Sequence, residues 1–198
     1  MGMDTGHSKA MMRAAAKAAR GALSPAQRRC FDTAIARAIE HAGLLNAAAG
    51  VVGYRSRGSE ASVDGLLETL IAAGRRVYLP RVAAGGELEL CRALSLREGQ
   101  RPGAFGILEP EGDAEEDLGG IDAILIPGVS FDTRGIRLGH GLGYYDRLLR
   151  KLGAKALRIG IAYEAQIVPE APADPWDEPV DWIVTETGAR QRVSGPGR

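Results

Sequence analysis

A chain of 198 residues suits one domain and can bury a proper core without staples. Lys and Arg total 25 and Asp and Glu total 25, so the net charge gives no global pull toward nucleic acid or an anionic membrane. Cys30 and Cys91 have neither metal-ligand nor CxxC spacing. The N-terminal residues carry Asp4, His7 and Lys9 without an apolar run, and no stretch approaches the roughly 18 apolar residues of a membrane helix. A reduced, soluble, cytoplasmic protein is expected.

Residues 1–7 are expected to be a disordered start. SKAMMRAAAKAAR, from Ser8 to Arg20, predicts a helix with Ser8 as its N-cap, and places Lys9, Arg13, Lys17 and Arg20 on one face. Ser24-Pro25 opens a second helix, with apolar Phe31, Ile35 and Ile39 at every fourth position and Gly43 as its stop. The pattern then changes to short apolar segments. Strands are expected at 50–54, 76–80, 87–92, 121–126, 157–163 and 182–185, and helices at 60–73 and 144–152. Residues 109–120 read as an acidic surface loop, and 188–198 as a disordered tail. Alternating strands and helices predict one three-layer α/β/α domain over 8–187, built on a mostly parallel sheet. Ligands of such folds bind beyond the carboxyl ends of the strands.

The chemistry concentrates in IDAILIPGVSFDTRGIRLGHGLGYYDRLL, residues 121–149. A buried strand ends at Pro127-Gly128. A loop with Arg134 and Arg137 follows, then Gly139, Gly141 and Gly143 at alternate positions, then a helix beginning Tyr144-Tyr145-Asp146. Alternate glycines let the backbone turn tightly and approach a ligand. The free N–H groups of a helix start favour an anion, and Arg137 adds a fixed charge beside them. Together they describe a phosphate cradle, with Asp146 placed to hold magnesium against the phosphate. A Walker A loop is excluded because the chain has no Gly-Lys pair. A dinucleotide fingerprint fails because Tyr144 stands where it needs glycine and the glycines start too far beyond the strand. The Glu164 that follows the next strand, where a ribose-binding acid would stand, is therefore a coincidence.

PGVSFDTRGIRLGHGLGYYDRLL resembles the signature of the 5-formyltetrahydrofolate cyclo-ligase family, whose usual form is PG-x-x-FD followed by G-x-RLG-x-G-x-GYYD. Further segments fall in family order: the basic first helix with Leu23-Ser24, Glu60, Leu79-Pro80-Arg81, Phe105-Gly106-Ile107 with Glu109-Pro110, and Pro179-Val180-Asp181 through Thr185-Glu186. The resemblance implies a three-layer α/β fold of the NagB/RpiA/CoA-transferase-like kind. It also implies ATP- and Mg2+-dependent conversion of 5-formyltetrahydrofolate, free or polyglutamylated, to the 5,10-methenyl form with release of ADP and phosphate. Under it, Lys9 and Arg13 would reach the ATP phosphates. Arg137, Leu138, Gly139, His140, Gly141, Leu142, Gly143, Tyr144 and Tyr145 would form the nucleotide loop, with Arg137 stabilising phosphate and no residue assigned as acid or base. Asp146 would hold magnesium, supported by Asp181. Glu60 would bind the pterin or position the folate, Arg55 would make a further substrate contact, and His140 to Tyr144 would line the folate site.

The chain departs from the family pattern at three places. His140 stands where tyrosine or a basic residue is also common. Leu142 replaces a glycine or a lysine, and leucine cannot touch phosphate as lysine could. Trp176-Asp177 stands near a frequent His-Asp pair. Taken alone, Lys9 and Arg13 read as a solvated helix face, Glu60 and Asp146 as first-turn acids favoured by the helix dipole, and Asp181 as an ordinary strand-entry residue. Two alternatives stay open: a nucleotide-binding paralogue with another substrate, and an RNA-binding module using the basic first helix. Neutral charge and the lack of aromatics interleaved with that helix oppose the second. The expected partners are the folate and ATP, with no nucleic acid and no membrane, and the expected state is a monomer.

Overall fold

The computed structural model describes residues 5–193. Two helices open the chain, α1 (Thr5–Gly21) and α2 (Pro25–His41). Ser24 caps α2 by accepting from Gln27 N while the Gln27 side chain accepts from Ser24 N, so two orphan donors of the helix start are satisfied reciprocally. Seven strands build the central sheet in the order β11-β10-β9-β6-β1-β2-β3: β1 (Gly50–Val52), β2 (Arg76–Val82), β3 (Leu88–Ala93), β6 (Ala123–Pro127), β9 (Leu157–Ile161), β10 (Trp182–Thr185) and β11 (Gly188–Gln191). The five inner strands are parallel, and β3 and β11 close the two edges antiparallel. Helix α3 (Asp64–Ala72) joins β1 to β2, and α4 (Tyr144–Leu152) joins β6 to β9. Two small hairpins pair β4 (Gln100–Pro102) with β5 (Leu108–Pro110) and β7 (Ser130–Phe131) with β8 (Arg137–Leu138).

The strand period of two sorts the apolar residues into two cores. Val51, Val77, Leu79, Leu125 and Ile159 face Ile35 and Ile39 of α2 and Leu67 and Leu70 of α3. Val52, Tyr78, Ile124 and Ile126 face Leu148 and Leu149 of α4 on the other side. This is the expected three-layer fold with a mostly parallel sheet. No described helix is long and apolar enough to cross a membrane.

Four boundaries differ from the sequence expectations. Helix α1 begins at Thr5, so Ser8 lies inside it and the expected disordered start overlaps its first turn. The third helix begins at Asp64 instead of Glu60, because the Glu60 carboxylate accepts from Arg57 N and closes a turn ahead of the helix. Glu109 is buried in β5 and not part of a surface loop. Residues 188–191 form strand β11 against β10 where a disordered tail was expected; the remaining tail positions 194–198, like residues 1–4, lie outside the described residues.

Asp132, fully buried after β7, organises the turn that feeds β8. Its carboxylate accepts from the backbone N–H groups of Arg134, Ile136 and Ala171 and pairs with the Arg134 guanidinium at 2.6 Å. Arg134 is thereby committed to structure, with Glu170 and the Ala171 carbonyl as its other partners. Asp132→Ala strands three buried donors and is expected to lower unfolding stability by about 3–5 kcal/mol, read as a lower urea midpoint at unchanged slope. A loss under about 1 kcal/mol would show that the turn does not depend on this carboxylate.

Candidate active site

Strands β1, β2 and β6 run in parallel and end at the same rim of the sheet, where α/β folds leave a crevice. A cleft of about 460 Å³ opens there. Helix α1, the segment after β1, the ends of β2 and β6, the glycine loop and residues 174–177 form its walls. Lys9, Arg13, Arg55, Glu60, the whole of 137–145 and Asp146 line it, so all but one of the sequence-derived site residues meet in one space.

The glycine loop is built around a buried arginine. The Arg137 side chain is 5 % exposed, and its Nη2 donates to Asp146 Oδ1 at 2.8 Å. Its guanidinium also lies 5.7 Å from the centre of the Tyr145 ring. Position 139 must be glycine for this to happen, since a Cβ there would stand 2.5 Å from Arg137 Nη1. Gly143 adopts φ +65° and turns the loop into α4 without a side-chain cap. The N-terminal end of α4 lines the cleft with no side-chain cap at Gly143, and the buried Nε of Arg137 has no hydrogen-bond partner among the described residues. A positive helix end beside a buried cation with a spare N–H forms an anion cradle.

Helix α1 lies along the loop. Arg13 Nε donates to the Gly139 carbonyl at 2.9 Å. Lys9 pairs with Asp174 at 2.6 Å and approaches Asp177 at 3.6 Å. Arg20, buried at the end of the helix, bonds Ser59 and stands 3.7 Å from Glu60. The basic face read from the sequence is thus turned toward the site, except for exposed Lys17.

Glu60 lines the cleft beside the glycine loop, with His140 Nε2 of that loop 3.1 Å away. Burial pushes its carboxyl up, but the bonds with His140 and Arg57 N and the charges of Arg20 and His140 outweigh that and hold it below the usual carboxylate range. Tyr54, whose hydroxyl donates to the Ala61 carbonyl, secures the segment that carries Glu60. Burial, with the charge of Glu60 nearby, pushes the Tyr145 hydroxyl well up, so it remains a donor at neutral pH. Arg55 is paired with Asp64 at 3.4 Å. The site thus gathers the buried Arg137, the glycine loop and a charged Glu60 that meets the same loop at His140.

Asp181 is the exception. It precedes β10, is absent from the cleft wall, accepts from Arg158 N at 3.0 Å and lies 3.9 Å from Arg192. It ties the entry of β10 to β9, outside the cleft that Asp146 lines. No group of three or more His, Cys, Asp or Glu side chains is gathered for a metal among the described residues. Asp146 alone suits a hard cation. Its two hydrogen bonds, from Arg137 and Glu178 N, both land on Oδ1, which leaves Oδ2 for an ion whose other ligands come from phosphate and water. The cleft also contains Asp174, Arg147 and Arg150, which the sequence reading missed, and Trp176, which is 62 % exposed. A one-turn spacing after Asp146 marks Arg150, and Arg147 follows Asp146 directly; nothing in the sequence brings residues 174–177 to Lys9.

Comparison with known proteins agrees with this geometry. The family model of the 5-formyltetrahydrofolate cyclo-ligase family matches residues 5–186. A 5-formyltetrahydrofolate cyclo-ligase of Mycolicibacterium smegmatis is 36% identical over 151 residues, covering 72% of this chain and 76% of the relative. The Escherichia coli enzyme of the same name is 34% identical over 138 residues, covering 67% and 75%. The solved structure of Aquifex aeolicus 5,10-methenyltetrahydrofolate synthetase superimposes with a TM-score of 0.82 at 34% identity, covering 96% of this chain and 95% of that one. With the cradle, the anionic pole and the fold all present in one chain, the protein belongs to the 5-formyltetrahydrofolate cyclo-ligase family.

Proposed function

We propose that the chain closes 5-formyltetrahydrofolate into 5,10-methenyltetrahydrofolate at the expense of ATP, with the polyphosphate on the glycine loop and the pterin toward Glu60. The observation that carries this is a single cleft that brings the glycine loop and the spare Nε of Arg137 together with a charged Glu60 held by His140 of that loop. A formyl group on nitrogen is a poor electrophile, and its oxygen is a poor leaving group. The formyl oxygen attacks the terminal phosphorus of ATP and ADP leaves. The neighbouring folate nitrogen then attacks the formyl carbon, loses its proton, and the phosphate departs with the former formyl oxygen. No covalent enzyme nucleophile is required. The protein holds two substrates in line and stabilises charge on the moving phosphoryl group.

Arg137, Arg13, Lys9 and the N–H groups of residues 139–145 bind the phosphates. Asp146 would hold Mg2+, and the ion would supply neutralisation of phosphate charge. Glu60 accepts hydrogen bonds from the pterin, its orientation fixed by Arg57 N and His140, and Arg55 guards the same end. The two free thiols, exposed Cys30 and buried Cys91, support a cytoplasmic setting.

Two substitutions separate the two ends. Asp146→Asn keeps an acceptor for Arg137 but weakens the hold on magnesium. Methenyl product, followed by its near-ultraviolet absorbance, is expected to form at least about a hundredfold more slowly at saturating ATP. Wild-type turnover in that variant would remove Asp146 from the metal role. Glu60→Gln is expected to raise KM for the formylated folate about tenfold or more while ATP affinity stays constant. A rise confined to ATP would reverse the assigned orientation of the substrates.

A further inference from the structure

The cleft contains more cations than its carboxylates neutralise. Lys9 is matched by Asp174 and Asp177, Arg137 by Asp146 and Arg55 by Asp64. Arg147 forms no ion pair within the described residues. From the first turns of α4 its side chain folds back across the glycine loop, where Nη1 donates to the Leu142 carbonyl and Nη2 to the Gly86 carbonyl, each at 3.1 Å. Its guanidinium lies 5.4 Å from the centre of the Tyr144 ring, on which it can stack. The one carboxylate whose charge it also feels, Glu87, is bound to Lys151. Carbonyl oxygens orient a guanidinium without cancelling its charge. They occupy two of its five N–H donors, so three remain available on a side chain that lines the cleft.

Leu142 makes this position informative. It stands in the loop between Gly141 and Gly143, half-exposed, and its side chain offers an anion nothing. The guanidinium bound to its own carbonyl places a cation at that point of the loop. We propose that Arg147 binds a nucleotide phosphate and supplies the cationic contact that Leu142 cannot. This rests on the ATP-dependent reading of the cleft. It goes beyond that reading by assigning a phosphate contact to α4 outside the 137–145 loop. The competing role is purely structural: a staple between the glycine loop and the turn at Gly86.

The test is calorimetric titration of the full-length protein with a non-hydrolysable ATP analogue and magnesium, accompanied by KM for 5-formyltetrahydrofolate. Arg147→Gln is expected to weaken nucleotide binding roughly ten- to hundredfold, the worth of one charge-assisted hydrogen bond, and to leave the folate KM within about twofold. Arg147→Lys should retain much of the affinity. Adding Leu142→Lys to Arg147→Gln should restore it, because the lost charge returns from the other side of the loop. Unchanged nucleotide affinity in Arg147→Gln overturns the proposal. So does a loss that Leu142→Lys fails to repair, which is what a broken staple would give. Wild-type protein that binds no nucleotide overturns the cyclo-ligase reading itself, a result distinct from either.

Discussion

A buried arginine needs a partner, and the way Arg137 finds one shapes the site around it. Removing a guanidinium from water is tolerable only with a carboxylate at hydrogen-bond distance, and Asp146 provides it from the first turn of α4. That bond fixes β8 and α4 relative to each other. The backbone between them must pass over the guanidinium, which leaves no room for a side chain at position 139 and demands a left-handed residue at 143. The N-terminal end of α4, which no side chain caps, then borders the cleft beside Arg137. The anion cradle is therefore a consequence of one ion pair, and the same ion pair places the Asp146 carboxylate at its edge.

The parallel sheet supplies the stage for this arrangement. Five parallel strands bring their carboxyl ends to a single rim, and the loops that leave them can specialise without disturbing the two apolar cores beneath. Helix α1 closes the cleft from above by electrostatics more than by apolar packing. Among its residues of described burial only Ala16 and Arg20 are buried, while Lys9, Arg13 and Arg20 reach the 174–177 segment, the Gly139 carbonyl and Glu60 respectively. A helix held by charges at three points along the cleft orients both substrate ends at once, and prior orientation is what a reaction without an enzyme nucleophile depends on.

The fold was legible wherever burial writes a period into the sequence. The runs at 121–126 and 157–163 are apolar except for Asp122 and Arg158 because helices cover both faces, and Ser24-Pro25 carries its capping chemistry in place. The cradle was legible because glycines, an arginine and an acid at fixed offsets have few other uses. What the sequence hid depends on long-range contacts. Glu60 reads as a first-turn acid until its bond to Arg57 N shows a separate turn. Asp181 carries a family position, yet its carboxylate is used by Arg158 at the entry of β10. Asp174 and Asp177 meet Lys9 across more than 160 positions, a pairing that no local pattern encodes. The edge strand at 188–191 is four residues long with none fully buried, so burial leaves it no periodic mark.

The central claim is that the formyl oxygen receives the terminal phosphoryl group of ATP within this cleft. It is tested most directly by supplying 5-formyltetrahydrofolate labelled with heavy oxygen in the formyl group, together with Mg-ATP, and analysing the released phosphate by mass spectrometry. The account predicts one labelled oxygen in each phosphate formed with the methenyl product. Unlabelled phosphate, with the label lost to water, would contradict it.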